Sequence, residues 1–77
     1  MALSALERQS LLHQAANDFG FETMEEMFAA ACCDSIVPAI CYRCGYTTEM
    51  EPDQARGWCE ECEKNSVVSV LILGGLI

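Results

Sequence analysis

From Ser4 to Phe19 apolar and polar residues recur with a helical period. Ala5, Leu12, Ala15, Ala16 and Phe19 share one side of a helical wheel, an apolar stripe of the kind that packs on a core. Ser4 and Glu7 stand three residues apart at its start, the spacing of a capping box. A helix to about Asp18 is predicted, with Gly20 where a closing glycine turns left-handed. The pattern then repeats. Thr23-Met24-Glu25-Glu26 is a second capping box, and its two glutamates suit the positive end of a helix dipole. A second helix is predicted from Met24 to about Cys33, burying Met24, Met27, Phe28 and Ala31 and ending at Asp34-Ser35.

Beyond Ser35 the helical period is lost. Ile36 to Ile40 is an apolar run in which Pro38 admits only an edge strand or a strand start. Tyr46 to Met50 alternates, with Thr47 and Glu49 on the polar side, and reads as a half-buried strand. Glu51-Pro52-Asp53 to Gly57 is turn chemistry, with Gly57 expected to supply a positive φ. Val67 to Leu73 is apolar on both faces and predicts a central, covered strand. The expected fold is α+β: one domain over 1–77, with a helical hairpin over 1–35 packed on a small antiparallel ribbon over 36–77.

Length and composition add a requirement. Hydrophobic residues are 52% of the 77, too many for a disordered chain. A core this small still needs a staple. Six cysteines offer two kinds, disulfides or a metal. The start of the chain shows no basic segment followed by a long apolar run, so a cytoplasmic chain is expected, where a reducing pool disfavours structural disulfides. Nothing approaches the roughly 20 apolar residues of a membrane span.

Four of the cysteines carry the strongest signal. Cys41-x2-Cys44 and Cys59-x2-Cys62 are two knuckles with fourteen residues between them, enough for a strand out, a turn and a short strand back. Structural zinc takes four thiolates in a tetrahedron, and backbone N–H groups of each turn can point at the sulfurs. Gly45, directly after the second ligand, fits the sharp turn there. Cys41, Cys44, Cys59 and Cys62 are therefore the expected ligands of one zinc per chain. Four protein ligands leave no open position, so no catalysis is expected.

The span from Cys41 to Cys62 resembles a zinc ribbon. Cys-Tyr-Arg-Cys-Gly-Tyr also resembles the first knuckle of rubredoxin-like domains, which hold a single iron, and Trp58 before the third cysteine has aromatic counterparts there. The gap is far shorter than in true rubredoxins and near that of the short modules appended to rubrerythrins. Those modules serve a di-iron bundle, but this chain has no Glu-x-x-His pattern, and His13 is its only histidine. Its second knuckle, Cys59-Glu60-Glu61-Cys62, also lacks the customary proline. The whole chain is similar to a set of small, uncharacterised bacterial zinc-ribbon proteins through C-G-Y-T-T-E, E-P-D, G-x-C-E-x-C and L-I-L-x-G-L-I. That resemblance implies a fold and a metal, and no activity.

Charge narrows the partners. The formal net charge is −8; four thiolates subtract four and a divalent cation returns two, so the metallated chain is nearer −10. The second helix carries no base to meet DNA, despite the helix-turn-helix spacing of Ala16 and Gly20. Arg43 lies where nucleic-acid ribbons place contacts, but Glu60, Glu61 and Glu63 would repel phosphate. The leading functional expectation is an adaptor that binds another protein. A rubredoxin-like iron electron carrier comes second, and a nucleic-acid or transcription accessory ribbon third.

The other distinctive residues get plain readings. Cys32 and Cys33 are expected as small buried helix residues, and His13 as an ordinary, partly exposed histidine. Glu49, Glu51 and Asp53 are expected in a solvated turn. Tyr42, Tyr46 and Trp58 are expected to cover the sulfurs. Leu76 and Ile77 are expected to finish the core packing, with an exposed apolar tail that docks a partner as the alternative.

Overall fold

The computed structural model describes residues 3–77. Helix α1 (Ala5–Asp18) is followed by α2 (Met24–Ala31), strands β1 (Val37–Cys41), β2 (Thr47–Met50), β3 (Gly57–Cys59) and β4 (Lys64–Ser69), and a last turn of helix, α3 (Val70–Leu73). The strands form one antiparallel sheet in the order β2-β1-β4-β3. The fold is α+β, with the N-terminal helices packed against the sheet.

Both capping signals act. The Ser4 hydroxyl accepts from the Glu7 N–H at 3.1 Å, and the Glu7 carboxylate accepts from the Ser4 N–H at 3.0 Å. In α2 the Thr23 hydroxyl accepts from the Glu26 N–H at 3.1 Å, but the Glu26 carboxylate reaches the Glu22 N–H instead of Thr23's. Helix α1 closes as expected: Gly20 has φ +81°, and the Phe21 N–H returns to the Ala16 carbonyl at 2.8 Å. Its buried stripe is Leu12, Ala15 and Ala16, while Ala5 is exposed and Phe19 half-buried.

The sheet separates two apolar clusters because its side chains alternate. Ile40 and Val68, paired across β1 and β4, face the helices and join Leu12, Ala16, Met27, Ala31 and Leu73. Ala39, Cys41 and Val67 face the other way and join Met50 and Cys59. The helices thus form one core, and the cysteines lie in the second.

Three expectations need correction here, and Pro38 takes one of the two settings expected for it. The apolar run from Val67 is not one strand: it turns into α3 at Ser69, whose hydroxyl accepts from the Ile72 N–H at 3.3 Å and donates to the Pro52 carbonyl at 2.5 Å. Ser69 acts as an N-cap inside the run. Pro38 lies at the start of an inner strand, directly after its first residue, and not at an edge. The Cys41 N–H points to β2 and the Tyr42 N–H to β4, so by alternation the ring nitrogen of Pro38 faces β4. The β1–β4 ladder ends at Ala39 and Ser69, so no bond is missing there. Gly57 is a buried strand residue outside the positive-φ set; a Cβ there would strike Met50 Cε and come within 3.2 Å of Val67 Cβ. Finally, Leu76 and Ile77 are 49% and 64% exposed. After Gly75 (φ +77°) the Leu76 N–H bonds back to the Leu71 carbonyl at 2.8 Å, a Schellman closure that carries the chain off the core.

Candidate metal centre

Each knuckle bends the chain between two paired strands. Cys41 is the last residue of β1 and Cys44 lies in the turn toward β2; Cys59 ends β3 and Cys62 lies in the turn toward β4. The Gly45 N–H bonds to the Cys41 carbonyl at 3.0 Å, and the Glu63 N–H bonds to the Cys59 carbonyl at 2.8 Å. Gly45 and Glu63 therefore hold the same place in the two bends. Both are left-handed, with φ +82° and +56°. Because β1 and β4 are neighbours, both bends lie at the same end of the sheet.

The four sulfurs of Cys41, Cys44, Cys59 and Cys62 lie within 4.8 Å of one another. Cys44 and Cys59 are 3.6 Å apart, and Cys41 and Cys62 are 3.9 Å apart. A tetrahedron with metal–sulfur bonds of about 2.3 Å has edges of about 3.8 Å, so the donor set fits one tetrahedral, thiophilic cation. The same four cysteines that the spacing singles out are the ones brought together. The two leading cysteines, Cys41 and Cys59, are fully buried, Cys62 is half-buried and Cys44 is exposed.

Donors converge on the buried sulfurs. The Arg43 N–H reaches Cys41 Sγ and the Cys62 N–H reaches Cys59 Sγ, each at 3.3 Å. Ser66 Oγ lies 3.0 Å from Cys41 Sγ and is itself buried. Burial pushes the Cys41 thiol up, but hydrogen bonds from Ser66 and from the backbone of Arg43 and Cys44 outweigh it and bring it down to about 6. Cys62 goes the other way, to about 12, through its contact with Cys44 first and then through burial and the neighbouring Cys41 and Cys59. Four thiols this close resist shedding all their protons unless a cation offsets the gathered charge. That is the chemistry of a metal site.

Ser66 escaped the sequence reading, although a lone Ser beside Val67 and Val68 was a visible signal of a buried polar role. The aromatic cover is only partly as expected. Tyr46 packs against the cysteine cluster, but Tyr42 packs against the helical core. Trp58 is 55% exposed, because Gly57 and Cys59 point inward and strand alternation turns the residue between them out. Arg43 offers its backbone to the site while its side chain lies exposed. Glu49, Glu51 and Asp53 are exposed, as is His13. Cys32 and Cys33 are exposed too, contrary to expectation. Helix α2 stops at Ala31, and the Cys33 and Asp34 N–H groups tighten onto Ala30 and Ala31, which carries both thiols out of the buried stripe.

Among the described residues no helix is long and apolar enough to cross a membrane. No protein-family model matches the chain, no curated protein is significantly similar to it, and no solved structure matches it.

Proposed function

We propose that this chain is a small zinc protein whose metal is structural, and that it works as an adaptor by binding another protein. The observation that carries the reading is the cluster of four sulfurs at tetrahedral spacing, supported by inward N–H and O–H donors. Four thiolates fill the coordination sphere of zinc and leave no position for a reacting water. The metal then serves the fold, joining the β1–β2 bend to the β3–β4 bend in a chain too short to depend on its core alone. The adaptor role rests on what remains outside. The net charge is −8, and Ile36, Trp58, Leu76 and Ile77 are each about half exposed or more. Such a surface suits a partner that is basic or apolar. The same acidity argues against phosphate backbones, and a cytoplasmic setting would keep the thiols reduced.

A second reading keeps the site and changes the metal. Cys44, an exposed residue, would give an electron a short way out of an iron centre there, as in a rubredoxin-like carrier. Metal analysis of untagged protein made with both metals available separates the two. About one zinc per colourless chain supports the structural site. A red protein with thiolate-to-iron absorption replaces it with the carrier. A chelator-treated chain that keeps its complete native amide spectrum removes the structural role of any metal.

A further inference from the structure

The four sulfurs are not equivalent, and their arrangement points to chemistry beyond holding a cation. Two sulfur pairs, Cys44 with Cys59 at 3.6 Å and Cys41 with Cys62 at 3.9 Å, run between the knuckles. Each of the two pairs joins a cysteine open to solvent, the exposed Cys44 or the half-buried Cys62, to a buried one, Cys59 or Cys41. Solvent reaches Cys44 most readily. We propose that this site is also a peroxide-responsive clasp, in which oxidation exchanges the metal for a Cys44–Cys59 disulfide that keeps the two knuckles joined. The proposal rests on the metal-site reading above and names a second state of the same site.

The step balances with hydrogen peroxide as the two-electron oxidant. The exposed Cys44 thiolate attacks one peroxide oxygen, the O–O bond breaks, and the leaving oxygen departs as water after taking a proton. Cys44 is then a sulfenic acid. The Cys59 sulfur, 3.6 Å away on the other knuckle, attacks the Cys44 sulfur and expels hydroxide, which takes a proton to give a second water. Two thiolates have lost two electrons and the peroxide has gained them. The cation keeps only Cys41 and Cys62 and leaves. A second equivalent of peroxide can join that pair in the same way. Closing a pair to a bond of about 2.05 Å needs each sulfur to move by under about 1 Å. The bend geometry changes little, so the oxidised chain keeps the fold that simple metal removal would lose.

The test uses the full chain with Cys32→Ser and Cys33→Ser, exposed positions outside the cluster, so that other thiols do not compete. The zinc-loaded protein is treated with hydrogen peroxide. Released zinc is followed with a chromogenic chelator, the amide spectrum is recorded, and bridges are mapped under non-reducing conditions. Cleavage after Arg43, Arg56 and Lys64 puts Cys41 and Cys44 in separate peptides and Cys59 with Cys62 in a third. Fragmentation between Glu60 and Glu61 then names the partner of Cys44. The expected result is a Cys44–Cys59 bridge formed in step with zinc release, with a dispersed native-like spectrum retained after all zinc has gone. A first bridge within a knuckle, a Cys44–Cys62 bridge, sulfinic acid without a bridge, or a collapsed spectrum on zinc loss overturns the proposal. A reduced chain that takes up no metal defeats the metal-site reading instead, and the bridge map is still read on that metal-free chain.

Discussion

Gly45 and Glu63 occupy matching left-handed positions in the two knuckles, and exchanging their chemistry should move stability in opposite directions. A residue with a Cβ costs about 1–2 kcal/mol in that region. Glycine gives back part of that advantage, about 0.5–1 kcal/mol, because its unfolded chain is freer and loses more on folding. Gly45→Ala should therefore cost about 0.5–1 kcal/mol from the backbone alone. It also meets a neighbour, since the new Cβ would lie 2.5 Å from Gln14 Nε2, the atom that donates to the Gly45 carbonyl at 2.9 Å. Displacing that side chain gives up a hydrogen bond of about 0.5–1 kcal/mol, for a total of about 1–2 kcal/mol. Glu63→Gly relieves its own bend and should be neutral or stabilising by up to about 1 kcal/mol. The assay is urea unfolding at a fixed, buffered free zinc concentration, because metal binding shifts apparent stability by mass action. In a domain of this size each kcal/mol also moves Tm by about 4–8 °C. Gly45→Ala in a Gln14→Ala background should cost less than it does alone, which isolates the steric part. Shifts of the same sign for Gly45→Ala and Glu63→Gly, or no penalty for the former, would refute the reasoning.

Ser66→Ala removes the side-chain donor to Cys41, so zinc affinity should fall by about 10–100-fold in chelator competition. Because Ser66 helps hold Cys41 down at about 6, the variant should also shed zinc at a higher pH on acidification. Leu73→Ala empties a buried position between α3 and the helical core and should cost about 2–5 kcal/mol in the same unfolding assay. Glu7 is held below its ordinary 4.5 by hydrogen bonds to the backbone and side chain of Ser4. Its support of α1 is therefore present above pH 4.5 and lost as pH falls through the lower folded-state value; Glu7→Gln should flatten that segment of the stability profile. Trp58→Ala should leave zinc content unchanged and stability within about 0.5 kcal/mol. On the adaptor reading it also weakens capture of the protein partner, measured by titration.

What could be read in advance was local. The Ser4 box, the Thr23 cap and the Gly20 closure depend on residues within one turn of each other, and so do the two knuckles. The α+β fold followed from where the period changes. What escaped depended on partners distant along the chain. Nothing beside Ser69 says that Pro52 will accept its hydroxyl and help turn a strand into a helix. Pro38 reads alike as an edge or a strand start because its tolerance depends on the far strand ending one residue short of it. Trp58 was assigned to the sulfurs by its nearness in sequence, whereas alternation sends it to the other face. Cys32 and Cys33 follow from a helix ending two residues early, a boundary that periodicity locates poorly.

The pairing of each knuckle with its own hairpin has a kinetic consequence. An ion entering or leaving this chain meets two bidentate claws on a fourteen-residue tether, not a closed cage. Capture can begin on either claw and finish when the other swings in, and departure can retrace that path. A competing thiol carrier that engages Cys44 while Cys41 and Cys59 still hold on would draw the ion away by ligand replacement, never leaving it bare in water. Tight holding and ready hand-over are compatible in such a design, since the first concerns the closed state and the second only the half-open one.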